Sequence, residues 1–268
     1  MLPLTVAIVC KNNADTIGRT LNAVRQLADE LVVIDSGSTD GTIELVEACR
    51  DFADLKLTRT HWRGHVATKQ LALDAATRPW VLCLDSDESP DAELQAAIAA
   101  AVAASEPAAA GFEINRRVYY LGRPLRHAWQ PEWRLRLVRR GHAAWAGTDP
   151  HDRLDLNPGE GRPGRLPGVL RHDSFRTFGD HLEAQRRHAD TAATALHAMG
   201  VTGSRFRLAT SPAGAFFKQL VLKQAWRDGV PGFLAAGSTA AGALMKHMRL
   251  LELDHVRHHP ERAEEPAE

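Results

Sequence analysis

One apolar run that ends abruptly in acidic residues constrains the fold more than any other feature. Trp80–Leu84 is continuously apolar, and Asp85–Glu88 follow it directly. Such a run predicts a β-strand that is buried on both faces, as in a parallel sheet. Ligands of open α/β sheets bind at the carboxyl ends of strands, and carboxylates gathered there favour Mg²⁺ or Mn²⁺. The competing interpretation is a solvated acidic turn, or a helix cap at Ser89.

Strand and helix patterns alternate along the first third of the chain. Apolar runs typical of strands are followed in turn by helical periodicities, and the runs occupy residues 4–10, 31–34, 55–58 and 80–84. This order predicts an α/β fold with a mainly parallel, doubly wound sheet and right-handed crossovers. Two acidic strand ends, Asp35–Asp40 and Asp85–Glu88, are then expected at the same rim of that sheet.

Composition excludes some classes of partner. The 268 residues include 33 basic and 33 acidic side chains, so the formal net charge of +0 offers no field that attracts nucleic acid. The three cysteines, Cys10, Cys49 and Cys83, lack metal-like spacing and fall in predicted strands and helices. We therefore expect buried, reduced thiols and a cytoplasmic protein. A strand pattern starts almost at Met1, so no signal peptide is expected.

Two loops resemble a known enzyme family. Residues 32–42, with the sequence Val-Val-Ile-Asp-Ser-Gly-Ser-Thr-Asp-Gly-Thr, resemble the nucleotide-binding loop of family 2 glycosyltransferases of the GT-A fold, and Asp85-Ser86-Asp87 matches their Asp-x-Asp metal motif. Residues 64–73 resemble the helix that precedes that motif, although members often carry Lys-Asn where this chain has Lys69-Gln70. The resemblance implies a GT-A domain and a divalent cofactor, Mg²⁺ or Mn²⁺.

Two later segments resemble a subgroup of this family. Residues 131–139 are similar to its Glu-x-Arg-x-x-Leu-Phe-Arg motif, and residues 149–152 to its Val-His-Glu motif. The subgroup includes lipopolysaccharide-core glucosyltransferases of Gram-negative bacteria. Asp152 replaces the usual glutamate and Pro150 the usual valine, so the carboxylate is kept with a shorter reach.

The resemblance assigns roles to individual residues. Asp152 is the first choice for the base that accepts the proton of the acceptor hydroxyl, and Glu132 is the second. The predicted metal ligands are Asp85, Asp87 and His151. The predicted contacts to the nucleotide-sugar are Lys11, Asp35, Ser36, Asp40, Lys69, Asp85, Ser86, Arg134 and Arg136.

Plainer interpretations stand beside these roles. Asp40 is favoured as a residue that orders its loop, and Glu88 as a support for the metal ligands. Lys11 and Lys69 fit ordinary surface lysines equally well, and Arg134 and Arg136 fit an exposed strand face.

The C-terminal part has a different character. We predict a glycosyltransferase domain over residues 1–172, a helical extension over 173–257 and a disordered tail over 258–268. Within the extension, residues 213–251 combine aromatic, cationic and short apolar stretches. That pattern favours helices that lie in a membrane interface; packing on the core, or an oligomer contact, is the alternative.

The sequence therefore predicts an inverting hexosyltransferase. The expected donor is a nucleotide-sugar, with a UDP-hexose as the first choice, and the expected acceptor is a glycan or lipid-linked hydroxyl at the inner-membrane surface. Two other classes stay open: a sugar-phosphate nucleotidyltransferase, and a sugar-nucleotide-binding scaffold without catalysis. Residues 11–15 contain no glycine, which disfavours the nucleotidyltransferase. Release of free nucleoside diphosphate from a sugar donor would distinguish a glycosyltransferase from the nucleotidyltransferase and from the scaffold.

Overall fold

The computed structural model describes residues 2–49, 52–104, 109–148, 151–175 and 177–258, with the backbone alone at His151. By internal contacts the chain forms two compact units. Unit 1 comprises Met1–Val118 and Pro131–Ser174, and unit 2 comprises Tyr119–Gln130 and Phe175–Glu268. The tail predicted to be disordered lies outside the described residues beyond His258.

Unit 1 is built on a mixed sheet. Its strands in chain order are β1 (Leu2–Cys10), β2 (Ala28–Asp35), β3 (Asp54–Arg59), β4 (Trp80–Asp85), β5 (Glu88–Pro90), β6 (Gly111–Tyr120), β8 (Trp133–Arg139), β11 (Gly164–Arg165) and β12 (Leu170–Phe175). The strand order is β3-β2-β1-β4-β8-β6-β12-β5, and β11 pairs with β6. β3, β2, β1 and β4 are mutually parallel, whereas β8 joins β4 in antiparallel orientation. The predicted α/β class with a mainly parallel core is confirmed.

Helices cover both faces of the parallel strands. They are α1 (Ile17–Val24), α2 (Thr42–Glu47), α3 (His65–Asp74) and α4 (Ala92–Ala103). α1, α2 and α4 pack over one face, where alternate strand residues such as Leu4, Val6 and Ile8 are fully buried. α3 covers the other face together with an antiparallel hairpin of β9 (Ala143–Thr148) and β10 (His151–Leu156). Apolar residues alternate between both cores because β-strand side chains alternate between faces.

Parts of unit 1 differ from the sequence prediction. The hairpin of β9 and β10 was not foreseen as a secondary-structure element, nor was β12. The helix expected to begin at Asp173 begins at Phe178, because Leu170–Phe175 extend the sheet beside β5.

Cys10 and Cys83 are buried thiols, and burial raises the pKa of each to about 12, so both are neutral and inert. Cys49 is half-buried.

Unit 2 is mainly helical. Its elements are β7 (Arg123–Pro124), which pairs with the end of β6, then α5 (Phe178–Ala198), α6 (Arg205–Phe217), a π-helix (Lys218–Leu222), a 3-10 helix (Ala225–Asp228) and α7 (Val230–His258). Thr177 and Asp180 form a reciprocal capping box at the start of α5. α7 packs against both α5 and α6. Among the described helices, none combines the length and the apolar character that crossing a bilayer requires.

A buried histidine lies in the core of unit 2. His181 of α5 is fully buried among Tyr120, Trp129 and Phe175, and its Nδ1 lies 3.1 Å from the hydroxyl of Tyr120. Burial, with a smaller contribution from His188, lowers the pKa of His181 to about 4. The imidazole is therefore neutral in the folded protein at neutral pH.

Acid should weaken unit 2 through this histidine. Above pH 6.5 His181 is neutral in both the folded and the unfolded state. Between pH 6.5 and about 4 the unfolded state binds a proton that the folded state refuses, so the free energy of unfolding falls as the pH drops. The melting temperature of wild type should therefore fall more between pH 7 and pH 5 than that of His181→Gln. Exposed His61→Gln is the control, and equal pH dependence in all three proteins would contradict the assignment.

Candidate functional site

The carboxyl ends of the parallel strands bring acidic residues to one edge of unit 1. β1 lies between β2 and β4, with Cys10 opposite Asp35 and Val9 opposite Asp85. Asp35 and Asp85 therefore end the two strands that flank β1, at the same edge of the sheet, as the sequence predicted. This edge is where open α/β sheets bind ligands.

An alternating chain of ion pairs runs from Asp85 in both directions. Lys69 Nζ lies 2.6 Å from Asp85 Oδ1 and 2.8 Å from Asp152 Oδ2, so one ammonium group joins the strand end to the β9–β10 hairpin. On the other side, a terminal nitrogen of Arg136 lies 2.9 Å from Asp85 Oδ2 and 2.7 Å from Glu88 Oε1. Each oxygen of Asp85 thus has a cationic partner.

The series of ion pairs continues along β6 and β8. Arg116 reaches Glu88 at 3.3 Å and Glu132 at 2.7 Å, and Arg134 lies 2.7 Å from the same oxygen of Glu132. Four carboxylates therefore alternate with four cations, in the order Asp152, Lys69, Asp85, Arg136, Glu88, Arg116, Glu132 and Arg134. We call this set the ion-pair chain. Its formal charges cancel, which permits its burial.

The pKa values reflect these partners. Burial alone would lower the pKa of Lys69, but Asp85 and Asp152 outweigh it and hold the pKa above its ordinary value. Burial would raise the pKa of Asp85, yet Lys69 and Arg136 keep it well below its usual range. Burial opposes ionisation of Glu132 too, but Arg116 and Arg134 lower its pKa to about 2. These groups are all charged at neutral pH.

Glu88 has a structural role within the ion-pair chain. Its carboxylate is fully buried, and Oε2 accepts a hydrogen bond of 3.0 Å from the backbone N–H of Asp85. Oε1 faces Arg136 and Arg116. Glu88 therefore fixes the turn after β4 and orients both guanidinium groups; its support of a metal site stays a prediction.

The hairpin that carries Asp152 is attached to α3. Gln70 of α3 accepts a 2.8 Å hydrogen bond from the backbone N–H of Trp145, and the ammonium of Lys69 lies 4.8 Å from the centre of the Trp145 ring. The guanidinium of Arg136 lies 5.7 Å from the same ring. Gln70, which departs from the family pattern, thus holds the hairpin in place. Arg136 Nε and Trp145 Nε1 are buried donors without an acceptor among the described residues.

The loop after β2 is closed by its own side chains. Asp35 is buried, and its carboxylate accepts hydrogen bonds from the N–H of Gly37 at 3.0 Å and from the hydroxyl of Ser38 at 2.5 Å. Asp40 accepts from Thr42 and from the N–H of Ala14, so it joins this loop to the loop after β1. These bonds lower the pKa of Asp40. The favoured ordering role of Asp40 agrees with this geometry.

Other predicted contacts lie around these loops. Lys11 is exposed directly after β1. The hydroxyl of Ser36 is buried without a hydrogen-bond partner in the described part of the chain. Ser86 is buried too, and its carbonyl accepts a 3.0 Å hydrogen bond from the hydroxyl of Thr20. Sequence reasoning did not single out Asn12, whose side chain accepts a 2.8 Å bond from the N–H of Thr39.

Asp87 has a histidine partner that sequence reasoning missed. Its Oδ2 lies 3.3 Å from Nε2 of His172 on β12, and the hydroxyl of Ser174 lies 2.7 Å from His172 Nδ1. Burial would lower the pKa of His172, but Asp87 outweighs it and raises that pKa. No local motif signals His172, because it approaches Asp87 only through the pairing of β12 with β5.

The donor atoms fit a divalent ion in part. The carboxylate of Asp87 suits Mg²⁺ or Mn²⁺, which commonly take their other ligands from water and substrate phosphates, whereas the imidazole nitrogen of His172 is a softer ligand that suits Mn²⁺ better than Mg²⁺. Asp85 would bind the ion only after losing Lys69 or Arg136 from one oxygen. The side chain of His151 lies outside the described residues. Within the described ranges, no group of three or more His, Cys, Asp or Glu side chains is arranged to hold a metal.

A cleft opens beside the ion-pair chain. Its volume is about 730 Å³, and its walls include Lys69, Asp85, Arg136 and Asp152 together with Trp133 and Arg134. The guanidinium of Arg165 lies 4.5 Å from the centre of the Trp133 ring. The two candidates for the general base have different surroundings. Asp152 lines the cleft, whereas both carboxylate oxygens of Glu132 accept hydrogen bonds from Arg116.

Known proteins resemble this chain over most of its length. It is 27% identical over 268 residues to the lipopolysaccharide core biosynthesis glycosyltransferase LpsC of Rhizobium meliloti, which covers 97% of this chain and 96% of the relative. A glycosyltransferase of Rickettsia typhi, described as uncharacterized, is 26% identical over 94% of this chain and 88% of its own length. The mannosyltransferase PcManGT of Pyrobaculum calidifontis, solved with GDP-Man and Mn²⁺, aligns at 19% identity and a TM-score of 0.48, covering 98% and 82% of the two chains.

A family model gives the assignment. The model of glycosyl transferase family 2 matches residues 5–151, which is more than half of the chain and includes the loop after β2, the strand that ends in Asp85, and Lys69. The chain belongs to glycosyl transferase family 2.

Proposed function

We propose that this protein is an inverting glycosyltransferase that moves a hexose from a nucleotide-sugar, with a UDP-hexose as first choice, to a hydroxyl of a cell-envelope glycan or glycolipid. The observation that carries the proposal is the position of Lys69, whose ammonium joins Asp85 of the Asp-x-Asp sequence to Asp152 at the wall of the cleft. Cations for a diphosphate and a carboxylate for an acceptor hydroxyl are thereby within one cluster.

In the proposed reaction, Asp152 accepts the proton of the acceptor hydroxyl as the hydroxyl oxygen attacks the anomeric carbon of the donor. The bond from that carbon to the diphosphate oxygen breaks, and its electron pair leaves with the nucleoside diphosphate. Attack opposite the leaving group inverts the anomeric configuration. Lys69 and Arg136 stabilise the negative charge that grows on the diphosphate.

Asp87 and His172 are the residues that we propose for a divalent ion, Mg²⁺ or Mn²⁺. When bound, such an ion would add positive charge to the leaving diphosphate. The support is the pairing of a carboxylate with an imidazole nitrogen next to the strand end. Asp35, Ser36 and Lys11 are proposed to meet the nucleotide, and Asp35 would do so with a carboxylate that its own loop already orients.

The acceptor class rests on one relative. LpsC is named for lipopolysaccharide core biosynthesis, and it matches nearly the full length of this chain. We therefore propose a lipopolysaccharide-core type of acceptor and action at the cytoplasmic face of the inner membrane.

Thermal-shift screening of UDP-, GDP-, CMP- and dTDP-sugars with Mn²⁺ would identify the donor, because a ligand at 100 times its dissociation constant stabilises a protein by about 2.7 kcal/mol.

Loss of the carboxylate of Asp152 should slow transfer. Asp152→Asn is expected to lower kcat by about 10²–10⁴-fold, the usual cost of removing a general base, and to change the dissociation constant of the donor far less. Asp152→Glu should retain activity, because it restores the residue usual in the subgroup. The assay is nucleoside diphosphate release with rough lipopolysaccharide as acceptor.

Glu47→Gln is the control, since Glu47 is an exposed carboxylate of α2 that pairs with Arg59 at 3.5 Å and is not among the residues that line the cleft. Glu132→Gln tests the second candidate. Near-normal turnover in Asp152→Asn together with lost turnover in Glu132→Gln would transfer the role to Glu132, and no effect in either would overturn both assignments.

The metal assignment has its own test. Asp87→Asn and His172→Gln should each weaken binding of Mn²⁺ in the presence of UDP by at least about ten-fold, because each removes one of two protein ligands. Loss of the free Mn²⁺ signal in electron paramagnetic resonance titrations measures this without turnover. His142→Gln removes a half-buried histidine that directly precedes β9 and lies 2.9 Å from Glu160, and it should leave Mn²⁺ binding unchanged. Unaltered affinity in both site variants would exclude this pair as the ligands.

A further inference from the structure

Charge is distributed unevenly along this neutral chain. Between Asp190 and Glu252 the only acidic residue is Asp228, whereas seven cationic residues occur there, which gives that segment a formal charge of +6. They are Arg205, Arg207, Lys218, Lys223, Arg227, Lys246 and Arg249. Arg249 is paired with both bounding carboxylates, each at 2.8 Å, so the excess positive charge rests on the other six. The carboxylate of Asp228 is already used, because it accepts hydrogen bonds of 2.9–3.0 Å from the backbone N–H groups of residues 126–128.

The same segment exposes large apolar side chains. Among them are residues from the end of α6 to the second turn of α7, which we call the docking surface: Phe216, Phe217, Val221, Leu222, Trp226, Val230 and Phe233. Leu222 is 66% exposed, Val230 68% and Trp226 56%. α6 itself, all of whose residues are described, has no buried residue. Apolar groups concentrated in this way mark interaction sites rather than ordinary protein surface.

The docking surface is held in place from beneath. Asp228 ties the 3-10 helix to residues 126–128, and Lys223 Nζ donates a 2.9 Å hydrogen bond to the carbonyl of Gln130. Gly232 packs so closely that a Cβ atom there would lie 1.8 Å from the carbonyl oxygen of Ala225. Trp226 is therefore exposed on a fixed turn. Such pre-organisation lowers the entropic cost of inserting its ring into a partner.

The charge decides which partner fits. A two-fold contact between copies of this chain would bring the same cationic segment against itself, and like charges across an interface are unfavourable. An anionic lipid surface instead attracts lysines and arginines and accepts aromatic and aliphatic side chains at the depth of its headgroups. We propose that the docking surface binds the membrane interface of a bilayer rich in anionic lipid, with Trp226, Phe217 and Leu222 inserted among the headgroups.

This inference deepens the proposed function, since a lipid-linked acceptor lies at such a surface, and its test uses neither donor nor acceptor. Failure of docking is thereby distinguished from failure of transfer. The probe is vesicles of phosphatidylcholine with or without an equal amount of phosphatidylglycerol, and the readout is the fraction of full-length protein that sediments with them.

Wild type should bind the phosphatidylglycerol vesicles, and added salt should weaken that binding because it screens the charges. Phe217→Ser/Leu222→Ser should lower the vesicle partition coefficient by at least about ten-fold, because each exposed apolar side chain contributes buried area. Leu45→Ser/Trp62→Ser removes two apolar side chains of unit 1 that are 40% and 41% exposed, and it should bind as wild type does. Equal binding by all three proteins would overturn the proposal.

A second measurement uses the wild type and one conservative variant, Trp226→Phe, which keeps an aromatic ring at the exposed position. Lipids brominated near the headgroup should quench wild-type tryptophan fluorescence, and Trp226→Phe should remove most of that quenching. Quenching that persists in Trp226→Phe would refute insertion of this turn. Wild type that fails to bind vesicles, but forms a dimer that Phe217→Ser/Leu222→Ser dissociates in sedimentation velocity, would assign the surface to a second copy instead.

Discussion

The ammonium group of Lys69 joins two parts of the site that lie far apart in the sequence. It pairs with Asp85 at the end of β4 and with Asp152 on the β9–β10 hairpin, and Arg136 holds Asp85 from the other side. Taking such charges out of water costs several kcal/mol per ion, which roughly offsets their attraction, so ion pairs of this kind add little net stability. Their contribution here is positional: the strand end, the hairpin and two further strands are fixed relative to one another by charges that cancel only in this arrangement.

Local patterns predicted the parallel half of the sheet well. The apolar runs that end in Asp35 and Asp85 identified β2 and β4, because a strand buried on both faces has a distinctive composition. The antiparallel half was harder, since β9 and β10 lack a continuous run of large apolar residues, and β12 pairs with β5, which lies about 80 residues earlier in the chain. His172 shows the consequence: it reaches Asp87 through the pairing of β12 with β5, and no spacing rule connects residues so placed.

Predicting residue types at the site was easier than predicting their partners. Asp40 was expected to order its loop, and its hydrogen bonds agree with that. Glu88, expected to support the metal ligands, accepts a hydrogen bond from the backbone N–H of Asp85. The sequence did not indicate that Asp85 would have a cation at each oxygen, because those cations come from α3 and β8. Gln70 illustrates the same limit: as a departure from the family pattern it looked minor, yet it anchors the hairpin that carries Asp152 through the backbone of Trp145. The formal net charge of +0 likewise gave no sign that cationic residues are concentrated between Asp190 and Glu252.

The proposed function requires that this cluster supports sugar transfer with inversion. Nuclear magnetic resonance of the reaction mixture can show this, with the donor identified by thermal shift and rough lipopolysaccharide as acceptor. We expect free nucleoside diphosphate in equal amount to a new glycoside whose anomeric configuration is opposite to that of the donor. A glycoside of retained configuration, or release of inorganic pyrophosphate with no new glycoside, would contradict it.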